Sequence, residues 1–395
     1  MRVLVAPDRF GTLLSAAECA DALARGWRAQ APGDQLDLCP LSDGGAGFVD
    51  AVAAGTSGPA QLLPVTVSGP TGRDVPATVL LVSTADGMRT AYLEAGQAVG
   101  PALLDPDAVD RTRTTSVGVG QLLVAALDAG AQRVVVGCGP AVSHDGGAGM
   151  LSALGLEPEA LLGGGAVRLR DLPDDALTVL PDVRERFAHV DLVAATDSVL
   201  PLLGFHGMSA TLAQPPAEQP LGAIAAAETP ERAQRLEQAL GRWADAAQRS
   251  LVAGRPLSGR GYAGEPGSGC AGGVAFGLML LGARRTSGVQ AVMDAVGVSE
   301  RLQGMDLVLT AEQSFDRTSL QDQVVSGVAD AATALGIPTV VVSGLVELGR
   351  REALAAGVAG AYALAERPAD LPSTSGEVDA ALEARARRTA RTWSR

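Results

Sequence analysis

Six carboxylates in this sequence share one setting: each follows a short apolar run and has glycine or hydroxyl residues close by. Carboxylate oxygens bind Mg²⁺ and can orient a hydroxyl for attack, which are two requirements of phosphoryl transfer. The apolar runs predict buried parallel strands, whose carboxyl ends are where ligands bind in α/β proteins. We therefore expect the six side chains to converge as catalytic residues in one acidic cleft. They are Asp8, Asp43, Asp145, Asp197, Glu312 and Asp316.

The stretch from Arg133 to Gly155 is the most informative of these strand ends. Arg133–Cys138 is a β-branched run that predicts a buried strand, and a glycine-rich loop then leads into a predicted helix over 148–154. Backbone N–H groups and the helix dipole favour an anion there, such as a phosphate. A tight turn in which Asp145 caps the helix is the alternative, and the sequence leaves both open. The loop residues assigned to binding are Gly137, Gly139, Ser143, Gly146 and Gly147.

The first predicted strand, Met1–Ala6, leads into a loop that carries Asp8 and Arg9. The capping-box pattern Ser15-Ala-Ala-Glu18 then predicts a helix over 16–29. This unit places the loop at the carboxyl end of the sheet, where α/β proteins bind ligands.

The second predicted strand, Leu36–Pro40, leads to Asp43 and to two glycines assigned to binding, Gly44 and Gly45. Asp43 is suited to face a metal or a substrate hydroxyl. An Asx-turn or a cap before a helix at Phe48–Ala53 is the competing interpretation.

Two further segments contribute candidate binding residues. The small-residue run Pro266–Gly273 allows close approach of backbone to a ligand, or equally of one helix to another. A predicted strand at Asp306–Thr310 leads into the segment that holds Glu312 and Asp316. The binding residues assigned in these segments are Gly267, Gly269, Arg317 and Ser319.

Composition excludes several classes of protein. The 395 residues are enough for two domains, and a net charge of −13 argues against nucleic acid as a partner. The chain has no lysine and no asparagine, so a P-loop in its usual form is excluded. Its four cysteines are scattered, and no apolar run reaches the ~18 residues of a membrane span. These features predict a cytoplasmic protein with reduced thiols and no membrane contact.

The motifs, in their order and spacing, resemble those of the bacterial glycerate kinases of the glycerate 2-kinase type. The central stretch is similar to the family's GxGGSAT and DGGxGM motifs, which it matches at Gly137, Gly139 and from Asp145 to Met150 except Ala148. Asp8 and Phe10 stand in the family's APDSFKGSLSA motif, Asp43 in ADGGEGT, the run from Pro266 in PGAGAAGG, and Glu312 in GEGRID. The resemblance spans residues 1 to about 365.

The departures from the family pattern concern positive charge. Two motif lysines fall on Gly11 and Gln323, and the motif arginine falls on Ser314. The family's GPQKGA becomes Gln214-Pro-Pro-Ala. Loss of one cationic contact to a transferring phosphate costs ~10²–10⁵ in rate.

The resemblance implies a two-domain α/β fold. A Rossmann-like parallel-sheet domain, residues 1–60 plus 290–395, is split by an inserted α/β domain, residues 61–289, with the site in the cleft between them. It also implies ATP and Mg²⁺ as cofactors and a small glycerate-like hydroxy acid as substrate. The sequence assigns no metal ligands and leaves open whether the protein forms a homodimer.

Two hypotheses follow from these residues. The first is a divergent kinase for glycerate or a related hydroxy acid, in which Arg9 and Arg317 replace the missing cations. The second is a catalytically impaired family member that serves as a small-molecule sensor or scaffold. An assay of ADP release across short hydroxy acids separates them.

Overall fold

A computed structural model describes residues 1–84, 87–104, 110–173, 175–212, 229–251 and 261–394. The motif segment at 214–217 lies outside these ranges. The chain divides into two units. The first unit contains 1–43, 50–57 and 288–395, and the second contains 44–49 and 58–287. The sequence predicts domain boundaries at 60/61 and 289/290, and it does not predict that 44–49 groups with the second unit.

The strands within the described residues are β1 (Arg2–Val5), β2 (Gln35–Leu38), β3 (Ala60–Ser68), β4 (Asp74–Ser83), β5 (Arg89–Glu94), β6 (Arg133–Cys138), β7 (Asp191–Thr196), β8 (Arg284–Ser287), β9 (Leu307–Phe315), β10 (Thr339–Val346) and β11 (Val358–Ala363). The α-helices of the same ranges are α1 (Ala16–Gln30), α2 (Phe48–Gly55), α3 (Gly96–Val99), α4 (Val117–Asp128), α5 (Ala148–Ala153), α6 (Glu159–Leu162), α7 (Ala166–Leu169), α8 (Leu180–Glu185), α9 (Met208–Leu212), α10 (Pro230–Leu251), α11 (Val274–Leu280), α12 (Gly288–Val296), α13 (Val298–Arg301), α14 (Val324–Thr333), α15 (Arg350–Ala355) and α16 (Ser375–Trp393). None of these helices is long and apolar enough to cross a membrane.

The first unit is built on a parallel sheet with strand order β11-β10-β9-β1-β2. Its central strands β1, β9 and β10 bury most of their aliphatic side chains, as parallel strands covered on both faces require. The carboxyl ends of these strands carry the loops that hold Asp8, Asp43 and Asp316, with Glu312 near the end of β9. This all-parallel sheet is the arrangement expected of the Rossmann-like domain.

Helix α1 illustrates how local sequence builds this unit. The predicted capping box forms: the Ser15 N–H donates to Glu18 Oε2 at 2.8 Å, and the Glu18 N–H donates to Ser15 Oγ at 3.3 Å. A cap of this type contributes about 1 kcal/mol. The apolar stripe of α1 buries Trp27 completely, and on the exposed side Arg25 binds Asp379 of α16 at 2.6 Å. Helix α1 therefore begins where the sequence predicts and packs on α16.

The second unit contains a six-stranded sheet in the order β3-β4-β5-β6-β7-β8. Strands β3 to β5 are antiparallel, and β5 to β8 are parallel. The predicted strand at 133–138 is β6, which lies in the middle of this parallel part. The parallel part brings the carboxyl ends of β6, β7 and β8 to one edge, next to Gly139, Asp197 and Ser287.

Candidate active site

The carboxylates of the first unit come together because β1 and β9 are neighbouring parallel strands. Val5 pairs with Leu309 in the register of these strands, so Asp8 and Glu312 each lie three residues further along. The Asp8 N–H donates to Ala311 O at 2.9 Å, which continues the pairing to the end of the strands. Asp8 and Glu312 are therefore side by side at the carboxyl edge of the sheet.

The pKa values of Asp8 and Glu312 both respond to neighbouring carboxylates. Burial raises the pKa of Asp8 well above its usual value and the Asp43 carboxylate raises it further, while the N–H and charge of Arg9 lower it. Burial also raises the pKa of Glu312, against a hydrogen bond from Ser319, and the charges of Asp8, Asp316 and Asp43 add to the increase. Because like charges at one site cannot all ionise easily, each of these two carboxyls holds its proton more firmly than an isolated carboxyl does.

Glu312 has a further property that bears on ligands. Its side chain is 8% exposed, and its Oε1 atom is buried without a hydrogen-bond partner among the described residues. An unpaired buried oxygen of this kind is costly unless a cation or donor satisfies it.

The carboxylate oxygens of this group bear on whether Mg²⁺ could bind. Within the described ranges, no group of three His, Cys, Asp or Glu side chains has the spacing of a metal cage. Mg²⁺ normally uses one or two carboxylates together with substrate phosphates and waters. The carboxylate oxygens of Asp8 and Glu312 are ligands of the kind that this shared mode of binding uses.

Arg9 and Gly11 form the loop beside Asp8. The Arg9 Nε–H donates to Gly11 O at 2.5 Å, which folds the guanidinium back onto its own loop. Gly11 has a φ of +57°, a left-handed conformation that glycine adopts without strain. The side-chain amide of Gln313 lies against Gly11, in the space that a side chain there would enter. Arg9 thus supplies the positive charge of this loop. Gly11, on which the family's motif lysine falls, has no side chain to contribute.

The segment after β9 is organised by its own hydrogen bonds. Asp316 Oδ1 accepts from the N–H and the hydroxyl of Thr318, both at 2.7 Å. Ser319 Oγ accepts from the Asp316 N–H and donates to Ser314 O, both at 3.1 Å. Arg317 is exposed, and its Nη2 lies 3.9 Å from Glu352 Oε1. Of the two predicted substitute cations, Arg9 affects the pKa of a site carboxyl directly, whereas Arg317 lies beside Glu352.

In the second unit, Asp145 has the capping role that the sequence left open. Its Oδ2 accepts from the N–H and Oγ–H of Ser116, at 2.8 and 2.9 Å, and from the Gly149 N–H at 3.1 Å. Its Oδ1 accepts from the Gly147 N–H at 3.0 Å. The carboxylate is fully buried, and it therefore takes the place of an external anion at the starts of α4 and α5. Asp145 therefore has a structural role at these helix starts, and its predicted catalytic role stays a prediction.

The glycines on both sides of Asp145 serve backbone packing. The Gly146 N–H donates to Gly272 O at 3.0 Å, and Trp243 of α10 donates to Gly146 O at 3.0 Å. A Cβ on Gly272 would stand 1.6 Å from Ser143 O. The predicted cradle at 143–147 and the small-residue run at 266–273 thus pack against each other.

The other predicted binding glycines of this unit are also closely packed. A Cβ on Gly139 would lie 2.3 Å from the Cα of Gly45, and one on Gly137 would lie 2.7 Å from Gly44 O. Only glycine allows this approach of the loop after β6 to residues 44–45.

Asp197 and Arg285 bring charge to the carboxyl edge of this sheet. Asp197 follows β7, and its charge, second to burial, raises the pKa of the Cys138 and Cys270 thiols. Arg285 of β8 donates from Nε to Thr196 Oγ1 at 2.9 Å. Sequence reasoning missed Arg285, because it lies in no recognisable motif and its partner Thr196 is 89 residues away.

The site carboxylates are thus divided between the two units. Asp8, Asp43 and Glu312 form an acidic group in the first unit, with Asp316 close enough to influence Glu312. Asp145 and Asp197 belong to the second unit, where Asp145 is a cap.

Comparison with known proteins gives a consistent set of matches. A model of the glycerate kinase family matches residues 3–394. An uncharacterised protein of Mycobacterium tuberculosis (strain CDC 1551 / Oshkosh) is 36% identical over 371 residues, covering 93% of this chain and 84% of that protein. The glycerate kinase of Bacillus subtilis (strain 168) is 33% identical over 353 residues, covering 88% and 85%. A crystal structure from Salmonella typhimurium LT2, described as a provisional glycerate kinase 2, matches with a TM-score of 0.75 and 30% identity over 99% of this chain and 98% of that one.

Proposed function

Because the chain belongs to the glycerate kinase family, we propose that it transfers the γ-phosphoryl group of ATP to a hydroxyl of glycerate or a closely related small hydroxy acid. The observation that carries this proposal is the Asp8–Glu312 pair at the carboxyl edge of the first unit's sheet, with Arg9 beside it. A carboxyl whose pKa is raised by burial and by neighbouring carboxylates is a stronger base than an exposed carboxyl, which suits it to accept the proton of a substrate hydroxyl.

In the proposed reaction, the ionised member of the pair accepts the proton of the substrate hydroxyl. The hydroxyl oxygen forms its bond to the γ-phosphorus while the bond from phosphorus to the β–γ bridging oxygen breaks, and ADP leaves. Bound Mg²⁺ supplies positive charge that neutralises the phosphate oxygens. We assign the base to Asp8, because the N–H and charge of Arg9 favour its ionised form.

In this proposal Arg9 has a second role, which is to bind phosphate. Its planar guanidinium can hold a phosphate through two N–H groups, which a lysine at position 11 would do as a point charge. Release of its bond to Gly11 O would free the guanidinium to bind a phosphate.

A coupled assay of ADP release with glycerate and other short hydroxy acids tests the proposal. We expect ATP-dependent turnover of at least one of these acids by the wild type, and its loss in Asp8→Asn. Asp21→Asn is the matched control, since it makes the same change on the exposed side of α1. Wild-type protein that releases no ADP with any of them would contradict the proposal and favour the alternative, an impaired family member that senses or scaffolds.

A further inference from the structure

We propose that Thr310 is a positioning residue for Glu312, and that one buried water molecule joins the Thr310 hydroxyl to the Glu312 carboxyl. The inference rests on the proposed function for its effect on turnover, although not for the water site itself. Thr310 lies on β9, two residues before Glu312. The sequence gives no sign of this role, because a threonine inside a strand is typical of β-structure in general.

The side chains of Thr310 and Glu312 point to the same face of the first unit's sheet. Successive side chains of a strand alternate between its faces, so these two share a face and their Cα atoms lie about 7 Å apart. Leu309 and Ala311 point to the opposite face, where they pack in the core with α1 and α16. The Thr310 hydroxyl therefore lies one step below the Glu312 carboxyl, on the face that α14 covers.

Each of these side chains has a buried oxygen without a partner. Thr310 is fully buried, and its Oγ1 makes no hydrogen bond to any residue that the structure describes. The same holds for Oε1 of Glu312. Buried hydroxyls and carboxyls of folded proteins are paired with protein groups or with ordered water, because an unpaired one costs free energy. Two such oxygens on one face of one strand indicate a shared partner.

The side chains around Thr310 offer no other partner. Its neighbour on β10 is Val341, and the register of β1 places Ala6 on its other side, where the side chain is only a methyl group. Ser343 pairs with Glu312 across β10, but its hydroxyl already donates to a backbone carbonyl of β10 at 2.6 Å. The two unpaired oxygens are therefore the polar groups left to bind a common ligand.

A single water molecule matches this arrangement. Two hydrogen bonds of ~2.8 Å each span ~5 Å, which joins two oxygens that do not bond directly. Water donates and accepts, so it serves both the hydroxyl and the carboxyl. It would fix the Glu312 carboxyl beside Asp8, the proposed base, and its loss would misplace the pair for proton transfer.

Urea unfolding distinguishes a bridged hydroxyl from an unpaired one by the sign of the effect. Removing an unpaired buried hydroxyl relieves a cost, whereas removing a bridged one leaves Glu312 without its partner. Thr310→Val, which keeps the shape of the side chain, should therefore lower the urea midpoint. Thr339→Val is the matched control, because Thr339 is also fully buried and unpaired within the described ranges, but its strand neighbours are Val308 and Val358. Its midpoint should stay the same or rise.

The same substitution in a second background shows whether Glu312 is the partner. Glu312→Leu removes the carboxyl, so Thr310→Val added to it should no longer lower the urea midpoint. The bridge thus predicts that the two substitutions together cost less than the sum of their separate effects. These measurements need no turnover and are independent of the proposed kinase activity.

Turnover provides a readout that a purely structural threonine would not move. Thr310→Val should lower kcat ~10-fold and leave KM for glycerate within about two-fold, because the water acts on Glu312 and not on the substrate. Thr310→Ser keeps the hydroxyl and should retain most of the rate. Thr339→Val should leave kcat and KM unchanged.

A high-resolution crystal structure of the wild type gives the direct test, in which we expect a water within hydrogen-bond distance of Thr310 Oγ1 and Glu312 Oε1. Three results would overturn the proposal: no water at this place, an unchanged or raised midpoint in Thr310→Val, or equal effects of Thr310→Val with and without Glu312→Leu. If Thr310→Val does not fold, the crystal structure alone decides. A bridging water and coupled stabilities in a protein that releases no ADP would leave the water site standing and remove the kinase function.

Discussion

A Cβ atom on Gly11 would lie 2.2 Å from the Oε1 atom of Gln313, so these two residues compete for one volume at the edge of the first unit's sheet. In the family pattern that the sequence resembles, position 11 carries a lysine and position 313 a glycine. In this chain the side chain of Gln313 fills the space that a side chain on residue 11 would enter.

This relationship predicts a partial rescue of stability. Gly11→Ala should lower the free energy of unfolding by about 1–2 kcal/mol, because an L-residue is strained in the left-handed region and its Cβ meets Gln313. Gln313→Gly in the same chain should recover part of that loss, and urea unfolding of the two single variants and the double variant measures the coupling. Gly33→Ala is the control, since nothing lies within 4 Å of its Cβ. Strictly additive effects would show that the two residues do not share space.

Asp145 should be a stability residue. Asp145→Ala leaves the buried N–H groups of Gly147, Gly149 and Ser116 without their acceptor, and we expect a loss of about 3 kcal/mol or more in urea unfolding. Asp128→Ala, at the exposed end of α4, should change stability by less than about 0.5 kcal/mol. If Asp145→Asn keeps wild-type stability but loses turnover, Asp145 is a catalytic residue and not a stabilising cap.

Glu312 should make stability depend on pH in a defined direction. Its pKa is raised in the folded state, so the folded protein holds a proton that the unfolded chain releases above a pKa of about 4.5. Its contribution therefore becomes less favourable as the pH rises from 4.5 toward the folded-state pKa. Glu312→Gln should be more stable relative to wild type at pH 8 than at pH 5, as measured by urea unfolding at both values. A difference that is constant with pH would contradict the raised pKa.

Arg9 should affect both rate and pH dependence. Arg9→Ala should lower ATP-dependent turnover by ~10²–10³, as loss of a cation on a transferring phosphate does. The pH at which turnover reaches half its maximum should move upward, because Arg9 lowers the pKa of Asp8. Kinetics across pH measure both effects, with Arg28→Ala on the exposed side of α1 as the control. Turnover that survives Arg9→Ala unchanged would refute the substitute-cation role.

Local sequence predicted much of this fold for physical reasons. The capping box at Ser15 and Glu18 placed the start of α1, and the β-branched run at 133–138 placed β6, because caps and buried strands are encoded by neighbouring residues. The sequence also identified Asp8 and Glu312 as strand-end carboxylates, and the register of β1 and β9 shows why they are adjacent.

Contacts between distant residues were beyond such reasoning. The pattern around Asp145 fits an anion site and a cap equally well, and its hydrogen bonds to Ser116, 29 residues earlier in the chain, could not be read from that pattern. The contact of Gly11 with Gln313 and that of Arg285 with Thr196 also depend on which strands become neighbours. No local pattern encodes that choice.

The most direct test of the central claim is to identify the product. Wild-type protein is incubated with ATP, Mg²⁺ and glycerate, and the mixture is analysed by ³¹P NMR and mass spectrometry beside a sample of Asp8→Asn. The account predicts a phosphate monoester of glycerate that appears in step with ADP in the wild type and is absent from the variant. ADP without a phosphorylated acid, or equal product from Asp8→Asn, would contradict it.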